Sequence, residues 1–111
     1  MPLHYHKIEI FTSEDARWKG KPLSSALVTH VNSAQIAARC IVYKGLGGCY
    51  ENGELASTKI EILSLDMPLK IEILVPSSEL DKVLPGIEEI VTEGIIVVRD
   101  IEILSYKSRK W

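Results

Sequence analysis

The sequence predicts an α+β domain of βαββαβ order, the ferredoxin-like sandwich in which two helices cover one face of an antiparallel sheet. Three observations predict it. A period-2 tetrapeptide returns four times, two stretches between the copies carry helical periodicity, and 111 residues match the size of one domain, taken as residues 1–111.

The first copy, Lys7-Ile8-Glu9-Ile10, alternates β-branched and charged residues, the pattern of a strand with one buried face. A helix follows. Pro22 suits its first turn, where the missing N–H is not needed, and Leu23, Leu27, His30 or Val31, and Ala34 recur at helical spacing. Arg39-Cys40-Ile41-Val42-Tyr43-Lys44 reads as the next strand, halted by Gly45. The copies Lys59-Ile60-Glu61-Ile62 and Lys70-Ile71-Glu72-Ile73 continue the strand region, broken at Asp66-Met67-Pro68. In the second helix Ser77 or Ser78 is the expected cap and Leu80, Val83, Leu84, Ile87, Ile90 and Val91 form the apolar stripe. Pro85 should kink it or loosen one turn, and Gly94 should stop it. The last copy, Asp100-Ile101-Glu102-Ile103, closes the order, and residues 105–111 form a basic tail expected to be mobile.

The isoleucines of each copy are expected to point toward the helices, and the charged residues away from them. Tyr5, Phe11, Leu63, Leu74 and Leu104 are placed on that outer face as well. A mixed apolar and paired-charge face suits an interface between copies, with Lys–Glu pairs setting the register; the plain alternative is a wet face with scattered apolar residues.

Composition narrows the function classes. With 46% hydrophobic and 25% charged residues the chain is not wholly disordered, and a net charge of −2 lacks the basic excess of general nucleic-acid or membrane-surface binders. No apolar run approaches the roughly 20 residues that span a bilayer. Met1 to His6 lacks a secretory pattern, and Cys40 and Cys49 read as reduced thiols, so the expected location is the cytoplasm.

Several segments together resemble a known group. Arg17-Trp18-Lys19-Gly20-Lys21-Pro22-Leu23 is similar to the lead-in to the first helix of the PII-like family catalogued as domain of unknown function 190. Residues 36–48, from Ile36 to Gly48, resemble that family's glycine-rich strand and loop. Leu65-Asp66-Met67-Pro68-Leu69, Pro85 and Gly94 fall where it carries further motifs. Gln35, Ala38, Lys44 and the run Cys49-Tyr50-Glu51-Asn52-Gly53 depart from its pattern. The resemblance implies a PII-like homotrimer that senses a small ligand in clefts between subunits, with an adenine nucleotide as the candidate. It also implies that the loop from Gly45 to Thr58 contacts a regulated partner, a membrane transporter by analogy. In PII proper a glycine-rich basic loop before the second helix grips phosphates; here that place reads Val75-Pro76-Ser77-Ser78-Glu79.

The candidate ligand-binding residues fall in two groups. Lys44, Gly45, Gly47 and Gly48 could cradle an anion, because close backbone approach requires glycine and Lys44 adds charge; a flexible connection is the plain alternative. Arg17, Lys19 and Lys21, with Trp18, could hold a phosphate or a base, or form a solvated loop. Lys107, Arg109 and Lys110 of the tail could reach a neighbouring subunit's cleft. His4 and His6 share a strand face and could ligate one metal, the basis for a metal-responsive CutA-like trimer as the alternative function, although two ligands do not make a site. No Ser/His/Asp or Cys/His constellation can be assembled from the sequence, so no enzyme activity, catalytic residue or metal residue is assigned. RNA recognition on such a sheet needs stacking aromatics where the repeats offer Ile, Glu and Lys.

Overall fold

A computed structural model describes residues 3–57 and 66–107. The elements are β1 (Leu3–Ser13), β2 (Arg17–Trp18), β3 (Lys21–Pro22), α1 (Leu23–Ser33), β4 (Arg39–Lys44), β5 (Gly47–Cys49), β6 (Leu55–Ser57), β7 (Pro68–Pro76), a 3₁₀ turn (Ser77–Glu79), α2 (Leu80–Ile90) and β8 (Ile95–Ile103). The main sheet is antiparallel with strand order β4-β7-β1-β8, and both helices lie over one of its faces. This is the ferredoxin-like α+β architecture.

The first and third tetrapeptides are the two central strands. Their register pairs Ile8 with Ile73 and Ile10 with Ile71, and all four isoleucines are fully buried. Facing residues of an antiparallel pair share a side. The four isoleucines therefore meet Leu23, Leu27 and Val31 of α1 and Val83, Ile87 and Ile90 of α2 in one core. Each such side chain contributes about 1.5–3 kcal/mol through burial. The helix stripes fall at the expected spacing, with Leu23, Leu27 and Val31 rather than His30 buried.

The fourth copy behaves differently. Ile101 pairs with Tyr5 and Ile103 with Leu3, on the face away from the helices, while Asp100 and Glu102 pair with His6 and His4 on the other. The expectation that every copy points its isoleucines inward is thus corrected. The β1–β8 pairing matches odd residues with odd residues, so the parity that buries Ile8 and Ile10 turns Ile101 and Ile103 outward. Inward positions in β8 go instead to Ile96 and Val98, opposite Ile10 and Ile8. Leu104 lies past the end of β8 and is 91% exposed. The second copy, Lys59–Ile62, together with Leu63, lies outside the described residues; among those described, the four strands of the main sheet are β1, β4, β7 and β8. Residues 108–111 of the tail also lie outside them.

Two local details differ from the sequence expectation. Neither serine caps α2: Ser77 to Glu79 form the 3₁₀ turn, Glu79 takes the cap position, and the Ser77 hydroxyl is hydrogen-bonded to Nδ1 of His6 at 2.8 Å. Helix α2 stops at Ile90, before Gly94. Gly94 has φ +145, and a Cβ there would stand 2.5 Å from the Phe11 carbonyl oxygen. Its glycine is therefore required by the close approach of the chain as it enters β8.

Candidate functional site

The ends of β1, β3 and β4, the start of β7 and the β5–β6 hairpin gather at one end of the sheet. Backbone bonds lock them: Glu14 N–H donates to the Met67 carbonyl at 3.0 Å, Gly45 N–H to the Pro68 carbonyl at 2.8 Å, and Leu23 N–H to the Ala16 carbonyl at 2.9 Å. Asp15 N–H donates to the Asp66 carboxylate at 2.9 Å, and the Tyr50 hydroxyl to the Asp66 carbonyl at 2.8 Å. The connection from 14 to 16, leading into β2, therefore links the two groups of candidate residues.

In the first group, Lys44 Nζ is 3.2 Å from the Glu14 carboxylate. Gly45 is held against Pro68, whose side chain would lie 2.8 Å from an added Cβ, so close packing by itself requires glycine there. Gly47 and Gly48 form part of β5, paired with Ser57 and Ala56. The second group is a tight hairpin. Arg17 pairs with Pro22 and Trp18 with Lys21, and Lys19 and Gly20 both have positive φ, the turn geometry that two-residue hairpins favour. Lys19 Nζ stands 4.6 Å from the centre of the Trp18 ring. The hairpin is tied to the segment after α2 by the Thr92 hydroxyl, which donates to the Arg17 carbonyl at 3.1 Å.

Of the tail cations, only Lys107 falls within the described residues, and it is exposed. His4 and His6 share a face as expected. His6 Nε2 stands 3.8 Å from the Asp100 carboxylate, yet among the described residues no group of three or more His, Cys, Asp or Glu side chains converges as a metal would require. Among the described residues no helix is long and apolar enough to cross a membrane.

The uncovered sheet face carries a connected charge network. Arg99 donates to Glu9 at 2.7 Å, Lys70 Nζ lies 3.8 Å from Glu9 and 3.5 Å from Glu72, and Lys7 Nζ lies 3.5 Å from Glu72. Glu9 and Glu72 are direct cross-strand neighbours, a repulsive pair that the three cations offset. The Glu9 side chain is only 7% exposed although no helix covers it. Around the network lie Phe11, Ile41, Tyr43 and Ile95, each more than a third exposed, and Lys70 stacks 4.9 Å from the Tyr43 ring centre. Arg99 of the network and the β4 residues that border it lie outside the tetrapeptides. The alternation of Arg39-Cys40-Ile41-Val42-Tyr43 was the available signal, since it sets Ile41 and Tyr43 on one side.

Comparison with known proteins gives the class first. Two solved structures of CPII from Thiomonas intermedia K12 share the fold over 93% of this chain and 91% of theirs. One, bound to ADP and bicarbonate, matches with a TM-score of 0.63 at 18% identity. The other, described as a nitrogen regulatory PII-like protein bound to ADP, AMP and bicarbonate, matches with a TM-score of 0.65 at 16% identity. The fold is PII-like. Residues 5–103 match the model of the domain of unknown function 190 family, described as "Uncharacterized ACR", and the chain belongs to that family. A "UPF0166 protein" of Aquifex aeolicus (strain VF5) is 27% identical over 99 residues, covering 87% of this chain and 90% of the relative.

Proposed function

We propose that the chain is a PII-like regulatory protein. Three copies assemble over their uncovered sheet faces, a small ligand binds in the clefts between them, and the loop from Gly45 onward meets a regulated protein. Catalysis has no part in this reading. The observation that carries it is the uncovered face itself: a charge network with a nearly buried carboxylate, ringed by half-exposed aromatic and aliphatic side chains. Such a face is costly to leave in water and suited to a second copy.

Adenine nucleotides come first among the candidate ligands because the related fold of CPII was solved with ADP. The cationic hairpin of Arg17, Lys19 and Lys21 and the glycine loop of Lys44, Gly45, Gly47 and Gly48 support an anionic ligand, being linked through the 14–16 connection. Light scattering coupled to size exclusion tests the assembly, and a monomer at micromolar concentration overturns it. Calorimetric titration with ATP, ADP, AMP and cyclic AMP tests the ligand; silence across the panel removes nucleotide sensing.

The second reading, a metal-responsive trimer of the CutA sort, rests on His4 and His6 sharing one face of β1, although among the described residues no three such side chains converge within one chain. Equilibrium dialysis with zinc and copper tests it, and unchanged uptake by a His6→Ala variant removes it.

A further inference from the structure

We infer that the open sheet face is an anion site shared between copies, where Arg39, Lys7 and Arg99 hold a compact multivalent oxyanion of the phosphate or pyrophosphate kind. This rests on the assembly proposed above and goes beyond it, since it places a ligand between the sheet faces themselves.

The strand register sets the arrangement. Leu74 of β7 stands opposite Arg39 on one side and Lys7 on the other, and Lys7 stands opposite Arg99. Arg39, Leu74, Lys7 and Arg99 therefore form one row across the four strands, with three cations in it. Lys7 and Arg99 are like charges set directly opposite, a destabilising pair. The next row offers only Glu72 and Glu9, and both are already shared. Glu9 serves Arg99 and Lys70, and Glu72 serves Lys7 and Lys70. Arg39 is exposed and joins no ion pair among the described residues.

The described strands thus present four cations against two carboxylates on this face, a surplus of two positive charges on a chain whose net charge is −2. The remaining residues do not reverse that sign: 58–65 contain one lysine and one glutamate, and the only charged side chains of 108–111 are Arg109 and Lys110. The surplus repeats in every copy, so turning three such faces together sets like charge against like charge in a space that is losing its water. A multivalent oxyanion resolves the conflict. It neutralises cations of more than one copy at once, and its oxygens match the guanidinium forks of Arg39 and Arg99. Chloride screens the charges without bridging them.

The test titrates the full-length chain with pyrophosphate, phosphate and chloride at matched ionic strength, reading assembly by sedimentation velocity. We expect pyrophosphate to lower the protein concentration needed for assembly at least about tenfold relative to chloride, with the gap narrowing as salt is added. Arg39→Gln should raise the half-saturating pyrophosphate concentration at least about fivefold, because one bidentate partner is lost. Arg39→Glu removes the surplus and should assemble equally well in chloride, while Arg39→Lys keeps the charge and should restore part of the response. General salting-out by phosphates acts on all these chains alike and is separated by the comparison. Circular dichroism confirms that the variants are folded.

Equal assembly of the wild-type chain in pyrophosphate and chloride overturns the proposal, as does an equal pyrophosphate response of wild type and Arg39→Gln. The Arg17→Gln/Lys19→Gln variant should keep the full response; if it loses the response while Arg39→Gln keeps it, the anion sits at the hairpin and the proposal is overturned. A chain that stays monomeric in every salt overturns the assembly and this site together, whereas a trimer indifferent to pyrophosphate overturns this site alone.

Discussion

The two faces of the main sheet are written in the same alternating tetrapeptide, and they are held in different ways. On the helix side, Ile8, Ile10, Ile71 and Ile73 are sealed by α1 and α2, and the stabilisation is non-directional burial. On the open side the intervening Lys7, Glu9, Lys70 and Glu72 are joined by ion pairs that depend on distance and register. One face can tolerate a change of shape better than a change of polarity. The other depends on which charges the strand register brings together. Burial holds the domain together; the pattern of charges gives the open face its register-dependent polarity.

The sharpest way to break this comparison is to change opposite sides of one strand. Ile71→Ala should cost about 2–5 kcal/mol of subunit stability, read by chemical denaturation, because it leaves a cavity under both helices. Leu74→Ala, on the open side of the same strand, should leave the domain folded and, in the trimer proposed above, shift the concentration dependence of assembly instead. If the two variants behave alike, the division of labour is wrong.

Gly94→Ala comes next. The backbone clash with Phe11 and the positive φ should together cost roughly 1–3 kcal/mol, measured by thermal unfolding. Gly20→Ala, where nothing lies within 4 Å, should cost only the backbone penalty of about 1–2 kcal/mol.

An effect of comparable size, read on assembly and not on folding, is expected within the charge network. Glu9→Ala removes the acceptor of the 2.7 Å bond from Arg99 and should weaken assembly by roughly 1–3 kcal/mol, with reduced sensitivity to salt. Ile101→Ser tests the reversed fourth copy. With Ile101 on the open face, dissociation should rise while the melting of the isolated subunit barely moves. A large loss of subunit stability would show that Ile101 belongs to the core.

The smallest effect concerns the thiols. Burial pushes Cys40 up to about 11, so iodoacetamide at pH 8 should label Cys49 and spare Cys40. The sign follows from that shift. The folded state favours the protonated thiol, so the Cys40 contribution is fully present below the ordinary value of 9.0 and is lost as pH rises toward about 11. A Cys40→Ala variant should lack that alkaline decline, as followed by denaturation between pH 8 and 11.

Much of the fold was legible because its signals are local. The period-2 repeats mark β1, β7 and β8, and the helical stripes mark α1 and α2. The Arg39–Lys44 strand ends at Gly45, where only a glycine fits against Pro68. What was not legible depends on pairing. Nothing inside Asp100–Ile103 distinguishes it from Lys7–Ile10; its orientation is set by the parity of the β1–β8 register. The small hairpins β2–β3 and β5–β6 were missed for a related reason, since two- and three-residue strands carry too few alternations to be read. The cavity beside Tyr50 was invisible for a stronger reason: its walls come from β1, the hairpin, the start of β7 and the turn before β8.

Taken alone, the order of residues determined the strand and helix periods, the apolar content of each, and the ferredoxin-like succession, because these follow from spacing along a single element. The tertiary structure decided which side of β8 faces inward, which cations share Glu9, and which segments line one cleft. Those outcomes depend on contacts between segments far apart in the chain, 90 residues in the case of Arg99 and Glu9, and no local pattern encodes the distance at which two charges finally meet.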